Sequence, residues 1–293
     1  MGDADCSYDF TAIGKYIDKI VVGHDFVMGN RFAGEIEPGA MPFLHRYLGT
    51  PVLTLIMNIL FKTGIHDTNC GMRAFTKKAF ENMHCLTCGM EFATEMVVKA
   101  SLKKMRIAEV PCDLNRDQRN RKPHLHTWRD GWRHLRFMLL FSPSFLFFLP
   151  GLFLLCFGLA ALLVLPLDSL GLDYKHLITA AGVLLVGVQI IEYGLAAKLF
   201  SYAEHFDYGD KLLQFFKKQF QLERGIGFGL LLFLAGVGLL SALFLSYYTE
   251  LFIWGISDIV RFKLGVWGIT SVLLGIQLIF VSFLFSLFYI KVK

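Results

Sequence analysis

Charged side chains are scarce in this chain: Asp, Glu, Lys and Arg make up 18% of its 293 residues, against about a quarter in soluble domains. Hydrophobic residues make up 55%, and the mean hydropathy is +0.51. This balance argues against a wholly soluble protein. The shortage of charge is concentrated after Phe141, so we predict a soluble domain followed by a membrane domain.

A disulfide framework is also missing. The six cysteines show no paired spacing, and five lie in the predicted soluble part, where we expect reduced thiols. The segment HCLTC (84–88) could begin a zinc site, but no second ligand pair follows at zinc-finger spacing. The first long apolar run begins too late for a signal peptide, so we expect none.

Long apolar runs are present in the second half of the chain. Four of them reach the roughly 20 residues that a helix needs to cross a bilayer. Lys and Arg are concentrated before the first run and in the 201–224 connection, so the soluble domain, that connection and both termini are predicted to face the cytoplasm. The predicted spans are 144–166, 177–200, 225–248 and 265–290.

Two stretches have the pattern of helices that lie at a membrane surface. Within 129–143, Arg129 and Arg133 form a basic stripe beside an apolar stripe that includes Trp132. The segment 207–224 carries a similar apolar face. A plain anchoring role is the alternative for both.

One acidic residue, Glu192, lies inside the second predicted span. An acid at membrane depth is costly and is a functional candidate by default. A structural polar contact between helices is at least as good an interpretation.

A basic segment precedes the first apolar run. Residues 99–136 contain eleven Lys or Arg and four acids. Their position next to the membrane favours anionic lipid or a phosphorylated lipid over nucleic acid as the partner. The forked guanidinium groups of Arg119 and Arg121, with Lys122, suit phosphate oxygens; a solvated loop is the plainer reading.

The first 140 residues alternate between helical and strand patterns, which favours an α/β sheet. Only two or three strands are evident, so we expect an incomplete sheet. Glu91 and Glu95 share a helix face, and Lys99 is placed to pair with Glu95. The predicted strands are 25–29 and 105–111, and the predicted helices are 10–19, 45–61, one opening at Thr76, and 89–104.

Two aspartates, Asp3 and Asp5, open the chain in a D-x-D pattern. In extended backbone their side chains point to the same side, because successive side chains alternate. Carboxylate oxygens suit Mg²⁺ or Mn²⁺, which take one or two carboxylates together with substrate phosphates. The pattern by itself is a weak indication of a metal.

In combination the motifs resemble the second half of a bacterial family 2 glycosyltransferase of the polyprenol-phosphate (dolichol-phosphate) hexose synthase type. The resemblance runs from residue 2 to about residue 151. It implies a partial GT-A, Rossmann-like α/β domain (1–128), an amphipathic juxtamembrane helix (129–143) and a four-helix transmembrane domain (144–293) with an interfacial helix near 207–224. The segments that carry it are GDADCSYDF, VMGNRFAG, MPFLHRYLG, DTNCGMRAF, GMEFATEMVVKA and RKPHLHTWRDGWRHLRFMLLFSP.

The resemblance also implies site residues. Asp3 and Asp5 would be the catalytic pair and the ligands of Mg²⁺ or Mn²⁺ on the donor diphosphate. Ser7 stands where some relatives have Gln, which puts a third protein ligand in doubt. The implied donor-binding residues are Arg31, Asp67 and Arg73, and the implied phosphate- and acceptor-binding residues are Arg119, Arg121, Lys122, Arg129 and Arg133.

The implied activity is inverting transfer of a hexose from a nucleotide sugar to a polyprenyl phosphate at the cytoplasmic face of a bacterial inner membrane. Membrane lipid is an expected partner, nucleic acid is not, and a homo-oligomer is left open. The alternative is a non-enzymatic membrane subunit, or a degenerate fragment, that binds anionic lipid through its basic segment. A transporter is disfavoured by the few polar residues in the spans.

In relatives of this kind, a long segment with the base-binding strand and aspartate precedes the D-x-D. Nucleotides bind at the carboxyl ends of strands in such sheets, and those strands are not seen in this chain. We therefore expect an N-terminally truncated record, a misassigned start or one part of a split protein. We also expect this chain alone to bind a nucleotide sugar poorly. The sugar, the nucleotide and the lipid stay open.

Overall fold

The computed structural model describes residues 1–3, 5–117, 127–164, 174–203, 222–249 and 258–290. The chain divides into two compact units, Met1–Ser142 and Pro143–Lys293. The first contains a small mixed sheet with helices, and the second contains long apolar helices. This agrees with the predicted α/β domain followed by a four-helix membrane domain.

Three strands form the sheet of the first unit. They are β1 (Phe26–Asn30), β2 (Arg73–Phe75) and β3 (Ile107–Pro111), in the order β2-β1-β3. β1 pairs with β3 in parallel and with β2 antiparallel. The two longer strands confirm the predicted ones, whereas β2 was not predicted, because three residues are too few to show a periodic pattern.

One helix of the first unit begins at a side-chain cap that the sequence predicts. Thr76 is the N-cap of this short helix, and its hydroxyl oxygen accepts a hydrogen bond from the Ala79 amide at 3.0 Å, as predicted. A π-helical turn at His45–Gly49 precedes the second helix. The five helices among the described residues are α1 (Ile13–Val21), α2 (Thr50–Phe61), α3 (Lys77–Met83), α4 (Met90–Leu102) and α5 (Thr127–Leu140).

The core lies on both faces of β1, because its side chains alternate between the two sides of the sheet. Phe26 and Met28 pack with apolar residues of α2, α4 and α5. Val27 packs in a second cluster with Tyr16 of α1 and with residues next to β2 and β3. β1 is central and buried throughout. The loop that follows it therefore lies between the segments adjoining β2 and β3.

Four helices in the second unit are long and apolar enough to cross a membrane, over Ser144–Leu163, His176–Tyr202, Leu222–Tyr247 and Val260–Phe288. They confirm the four predicted spans. The corresponding helices are α6 (Leu149–Val164, after a π-helical turn at Ser144–Phe148), α7 (Tyr174–Ala203), α8 (Leu222–Thr249) and α9 (Asp258–Ile290). Most of the predicted interfacial helix at 207–224 lies outside the described residues, and the domain bounds proposed from sequence stay predictions.

Glycines bring these helices into close contact. A β-carbon at Gly158 of α6 would lie 2.6 Å from the Leu184 backbone nitrogen of α7. A β-carbon at Gly236 of α8 would lie 2.6 Å from the Gly268 carbonyl oxygen of α9. Small residues at such contacts let helix backbones approach closely in a membrane.

Candidate functional site

The topology of the sheet brings several predicted site residues to one edge. β1 and β3 are parallel, so their carboxyl ends lie together, and the antiparallel β2 begins at that same edge. Arg31 follows β1, and the loop 66–72 leads into β2. Ligands bind at this edge in open α/β sheets, so the candidate site is described from here outward.

The D-x-D segment runs beside β2. The Met1 amino group donates a hydrogen bond to the Arg73 carbonyl at 2.8 Å, and the Arg73 amide donates to the Met1 carbonyl at 2.9 Å. Such a reciprocal exchange is the pattern of an antiparallel strand pair. Asp3 is thereby brought to the loop that precedes β2.

Asp3 lies directly against Gly71. A β-carbon at position 71 would be 2.1 Å from Asp3 Oδ2, so only glycine leaves room for the carboxylate. The Gly71 amide donates a hydrogen bond of 3.0 Å to the hydroxyl of Tyr8, which is buried. Burial is the main cause that raises the pKa of Tyr8, and Asp3 adds to it. Asp3, Tyr8 and Gly71 therefore form one contact group.

Asp5 is half-buried and oriented by the next turn of the chain. Its Oδ1 accepts a hydrogen bond from the Ser7 amide at 3.1 Å and a second from the Ser7 hydroxyl. The Ser7 hydroxyl already donates to Asp5. A role for Ser7 as a third metal ligand therefore stays in doubt.

The donor chemistry of this segment suits a hard cation. Asp3 and Asp5 offer carboxylate oxygens, and among the residues that the structure describes no group of three or more His, Cys, Asp and Glu forms a complete metal site. Mg²⁺ usually takes one or two carboxylates and completes its shell with water and substrate phosphate. The residues present fit a divalent ion that binds together with a diphosphate.

Arg31 is held by Asp67 in a two-point contact. Arg31 Nε lies 2.6 Å from Asp67 Oδ2 and Nη2 lies 2.7 Å from Oδ1, with Asp67 fully buried. Burial lowers the pKa of the Arg31 guanidinium, but Asp67 outweighs it, and the pKa ends above its ordinary value. Arg31 therefore stays charged at the edge of the sheet.

The loop that carries Asp67 is fixed from β3. Glu109 Oε1 accepts hydrogen bonds from the amides of His66 at 2.7 Å and Asp67 at 3.2 Å, and Glu109 Oε2 contacts His66 Nδ1 at 2.8 Å. Sequence reasoning missed Glu109, because its partners lie more than 40 positions away in the chain.

Arg73 is buried and holds the same loop. Its guanidinium donates to the carbonyl oxygens of Cys70 at 3.0 Å and Thr68 at 3.1 Å, and to that of Ala93. Burial lowers the pKa of Arg73. These contacts assign Arg73 and Asp67 positioning roles in the fold, and their predicted donor contacts stay predictions.

On α5, two predicted acceptor-binding residues flank one acid. Arg129 Nε and Arg133 Nη1 each lie 3.8 Å from Asp130 Oδ1, and Trp128 and Trp132 are exposed. The helix predicted over 129–143 is observed as α5, and its role at a membrane surface stays a prediction. The predicted phosphate-binding residues Arg119, Arg121 and Lys122 lie outside the described residues.

Two histidines that the sequence did not single out lie near these charges. Burial lowers the pKa of His45, Arg31 adds to the effect, and Asp130 opposes it. Burial likewise lowers the pKa of His134, whose Nδ1 lies 2.5 Å from the Thr94 hydroxyl of α4. The only signal for His45 is its place in the motif MPFLHRYLG.

The remaining acidic candidates have structural partners. Glu95 lies 2.7 Å from Lys99 Nζ, as predicted, and accepts hydrogen bonds from Leu86 and Thr87. In the second unit, Gln277 of α9 donates to Glu192 of α7 at 2.6 Å. The structural interpretation of Glu192 as a contact between helices is therefore observed.

Comparison with known proteins gives one family match and three relatives. Residues 195–289 match the family described as the glycosyltransferase family 2 C-terminal transmembrane region. The chain is 35% identical over 289 residues to a low-salt glycan biosynthesis hexosyltransferase of Haloferax volcanii, covering 97% of this chain and 68% of that protein.

Two further relatives come from the same organism. The chain is 28% identical over 209 residues to a glycosyltransferase, AglJ, covering 68% of this chain and 67% of the relative. It is 29% identical over 109 residues to a dolichyl-phosphate hexose transferase, covering 37% of this chain and 46% of the relative.

Proposed function

The chain belongs to the family 2 glycosyltransferases, and we propose that it transfers a hexose from a nucleotide sugar to a polyprenyl phosphate, with inversion, at the cytoplasmic face of the membrane. The observation that carries the proposal is the Asp3 carboxylate seated against Gly71, two positions before Asp5, at the sheet edge where the Arg31–Asp67 pair lies. The names of the relatives, a hexosyltransferase of glycan biosynthesis and a dolichyl-phosphate hexose transferase, support the same class of reaction.

Asp3 and Asp5 are the proposed ligands of Mg²⁺ or Mn²⁺. When bound, the ion supplies positive charge that offsets the charge of the departing nucleoside diphosphate. The chain's own part is to orient the two carboxylates: Gly71 leaves room for Asp3, and Ser7 fixes Asp5 through two hydrogen bonds.

The reaction makes small demands on acid–base chemistry. An oxygen of the acceptor phosphate, already an anion, attacks the anomeric carbon as the bond to the nucleoside diphosphate breaks, so attack from the opposite face inverts that carbon. No strong general base is needed, and the work of the protein is to position both substrates. Arg31, oriented by its ion pair with Asp67, is proposed to contact the donor.

The acceptor is proposed to approach along α5. This helix ends at Leu140, shortly before the first candidate span begins at Ser144. Arg129 and Arg133 offer guanidinium groups to a lipid phosphate, and exposed Trp128 and Trp132 suit the head-group region. The first unit and both termini are proposed to face the cytoplasm.

The direct test uses membranes that contain the 293-residue chain, a polyprenyl phosphate, Mn²⁺ and a panel of radiolabelled sugar nucleotides at high concentration. We expect slow labelling of the lipid above that of membranes without the protein, and none with Asp5→Asn, because a metal-binding carboxylate is lost. Asp18→Asn, which changes an exposed acid on α1, should label like wild type. Full labelling by Asp5→Asn, or none by wild type with any donor, would contradict the proposal.

Metal removal tests the cation separately. A chelator should abolish lipid labelling, and added Mg²⁺ or Mn²⁺ should restore it in wild type. Labelling that persists in the chelator would rule out the assignment of Asp3 and Asp5 as metal ligands while leaving the transfer reaction in place.

A variant of Arg133 tests the proposed acceptor site. Arg133→Gln should raise the KM for polyprenyl phosphate and leave kcat nearly unchanged, because a ground-state contact is lost. Arg106→Gln, which alters an exposed arginine paired with Asp25, is the matched control. An unchanged KM for Arg133→Gln would remove this residue from the acceptor site.

A further inference from the structure

Two cysteines that the transfer reaction does not use meet behind the candidate site. Cys70 lies in the loop before β2, Cys112 directly follows β3, and they are 0% and 8% exposed. A β-carbon at Gly29 of β1 would lie 2.7 Å from Cys70 Sγ and 2.8 Å from Cys112 Cβ. The two side chains therefore lie beside the same glycine, each coming from a segment next to one of the two strands that flank β1.

Both cysteines are free thiols in the structure. The neighbouring Cys70 is the largest influence on Cys112 and lowers its pKa to about 7, while Cys112, together with burial, raises the pKa of Cys70. The buried Tyr16 hydroxyl, which lies beside the same glycine, has no hydrogen-bond partner among the described residues. Cys112 is thus the more ionised thiol, and the thiolate is the reactive form.

We propose that Cys70 and Cys112 are a redox pair that a peroxide converts into an intramolecular disulfide, joining the loop of Asp67 and Gly71 to the end of β3. Cys112 is slightly exposed and Cys70 is fully buried, so the two thiols have different roles in the oxidation. Cys112 reacts first because it alone is reachable from solvent, and Cys70 resolves the product.

The chemistry balances in two steps. The Cys112 sulfur attacks one oxygen of hydrogen peroxide, the O–O bond breaks, and hydroxide leaves and becomes water, which gives Cys112 sulfenic acid. The Cys70 sulfur then attacks the Cys112 sulfur, the S–S bond forms, and the S–O bond breaks. The Cys70 proton leaves with that oxygen as a second water, so two electrons have passed from the cysteines to the peroxide.

The disulfide would act on the loop that positions Asp3. Cys70 precedes Gly71, and its carbonyl accepts a hydrogen bond from buried Arg73 at 3.0 Å. A bond to Cys112 fixes this loop to the strand end that leads into the basic segment. It also closes a long chain loop, which restricts the unfolded state and stabilises the folded one.

The test uses the full chain in detergent, with the other four cysteines, Cys6, Cys85, Cys88 and Cys156, changed to serine. Treatment with a small excess of hydrogen peroxide should remove both remaining thiols together, as measured by alkylation after unfolding in urea, and give a linked peptide that contains Cys70 and Cys112. Dithiothreitol should restore both thiols. The oxidised protein should melt at a higher temperature than the reduced protein.

Single variants in that background separate the role of Cys112, which is oxidised first, from the role of Cys70, which forms the disulfide. With Cys70→Ser, Cys112 should stop at a sulfenic acid that dimedone traps; with Cys112→Ser, Cys70 should stay a thiol, which alkylation after unfolding in urea detects. Both thiols surviving peroxide, or Cys112 reaching the sulfinic acid without a linked peptide, would overturn the proposal. If a single variant does not fold, the result with the intact pair decides. The readout is covalent, so it is independent of glycosyl transfer.

Discussion

The two units of the chain differ in what they bury. The first unit, Met1–Ser142, buries five charged side chains, Asp67, Arg73, Glu95, Lys99 and Asp130, each at most 7% exposed. In the described part of the second unit, helices meet at glycines, and the buried ionisable residues are Glu192 and Lys198. Buried ion pairs and hydrogen-bonded charges therefore hold the first unit together, whereas close packing at glycines joins the helices of the second unit.

The difference indicates where the chemistry lies. The buried charges of the first unit hold loops: Arg73 and Glu109 fix the loop 66–72, and Glu95 fixes the loop 84–89. Buried charges are tolerated when they are paired and hydrogen-bonded. The helices of the second unit provide length and close packing, which is what a membrane anchor requires.

The largest effect is expected from breaking a buried pair in the first unit. Lys99→Met leaves the Glu95 carboxylate buried without its cation, and should lower the free energy of unfolding by about 3–5 kcal/mol. Lys77→Met removes an ion pair of the same i, i+4 spacing whose side chains are exposed, and should change little. Thermal unfolding in detergent measures both, and equal effects would mean that burial does not set the strength of the pair.

A smaller effect should follow from enlarging a glycine between membrane helices. Gly236→Leu puts side-chain atoms into the Gly268 carbonyl and Val272, and overpacking of this kind costs about 1–3 kcal/mol. Gly238→Leu is the matched control, because a β-carbon there meets no atom within 4 Å. If both variants unfold alike, close glycine contact is not what joins α8 and α9.

The smallest effect belongs to the polar contact between α7 and α9. Gln277→Leu removes the hydrogen bond to Glu192, and contacts of this kind are worth about 0.6 kcal/mol on average in a membrane protein. Gln189→Leu, which affects a contact with Tyr193 within α7, serves as the control. A loss comparable to that of Lys99→Met would show that the second unit also depends on buried charge.

The sequence predicts elements well where the information is local. The spans and the longer helices follow from apolar runs and periodicity, and the Thr76 cap follows from one residue type at a helix start. The strand β2 is too short to show a pattern. The contacts of Arg31 with Asp67 and of Asp3 with Gly71 join residues far apart in the chain, so they depend on topology that no local pattern encodes.

The central claim is that the acidic pair at the sheet edge, positioned by Gly71, is the catalytic centre of glycosyl transfer. Gly71→Ala tests it most directly, because the added β-carbon would lie 2.1 Å from Asp3 Oδ2 and must displace that carboxylate. Gly14→Ala is the matched control, since a β-carbon at position 14 meets no atom within 4 Å.

The measurement is the rate of lipid labelling from a sugar nucleotide for these two variants, with folding checked by thermal unfolding. The account predicts that Gly71→Ala slows labelling by about 10- to 100-fold, as loss of a group that orients a metal ligand does, while Gly14→Ala labels at the wild-type rate. A folded Gly71→Ala protein that labels as fast as Gly14→Ala would contradict it.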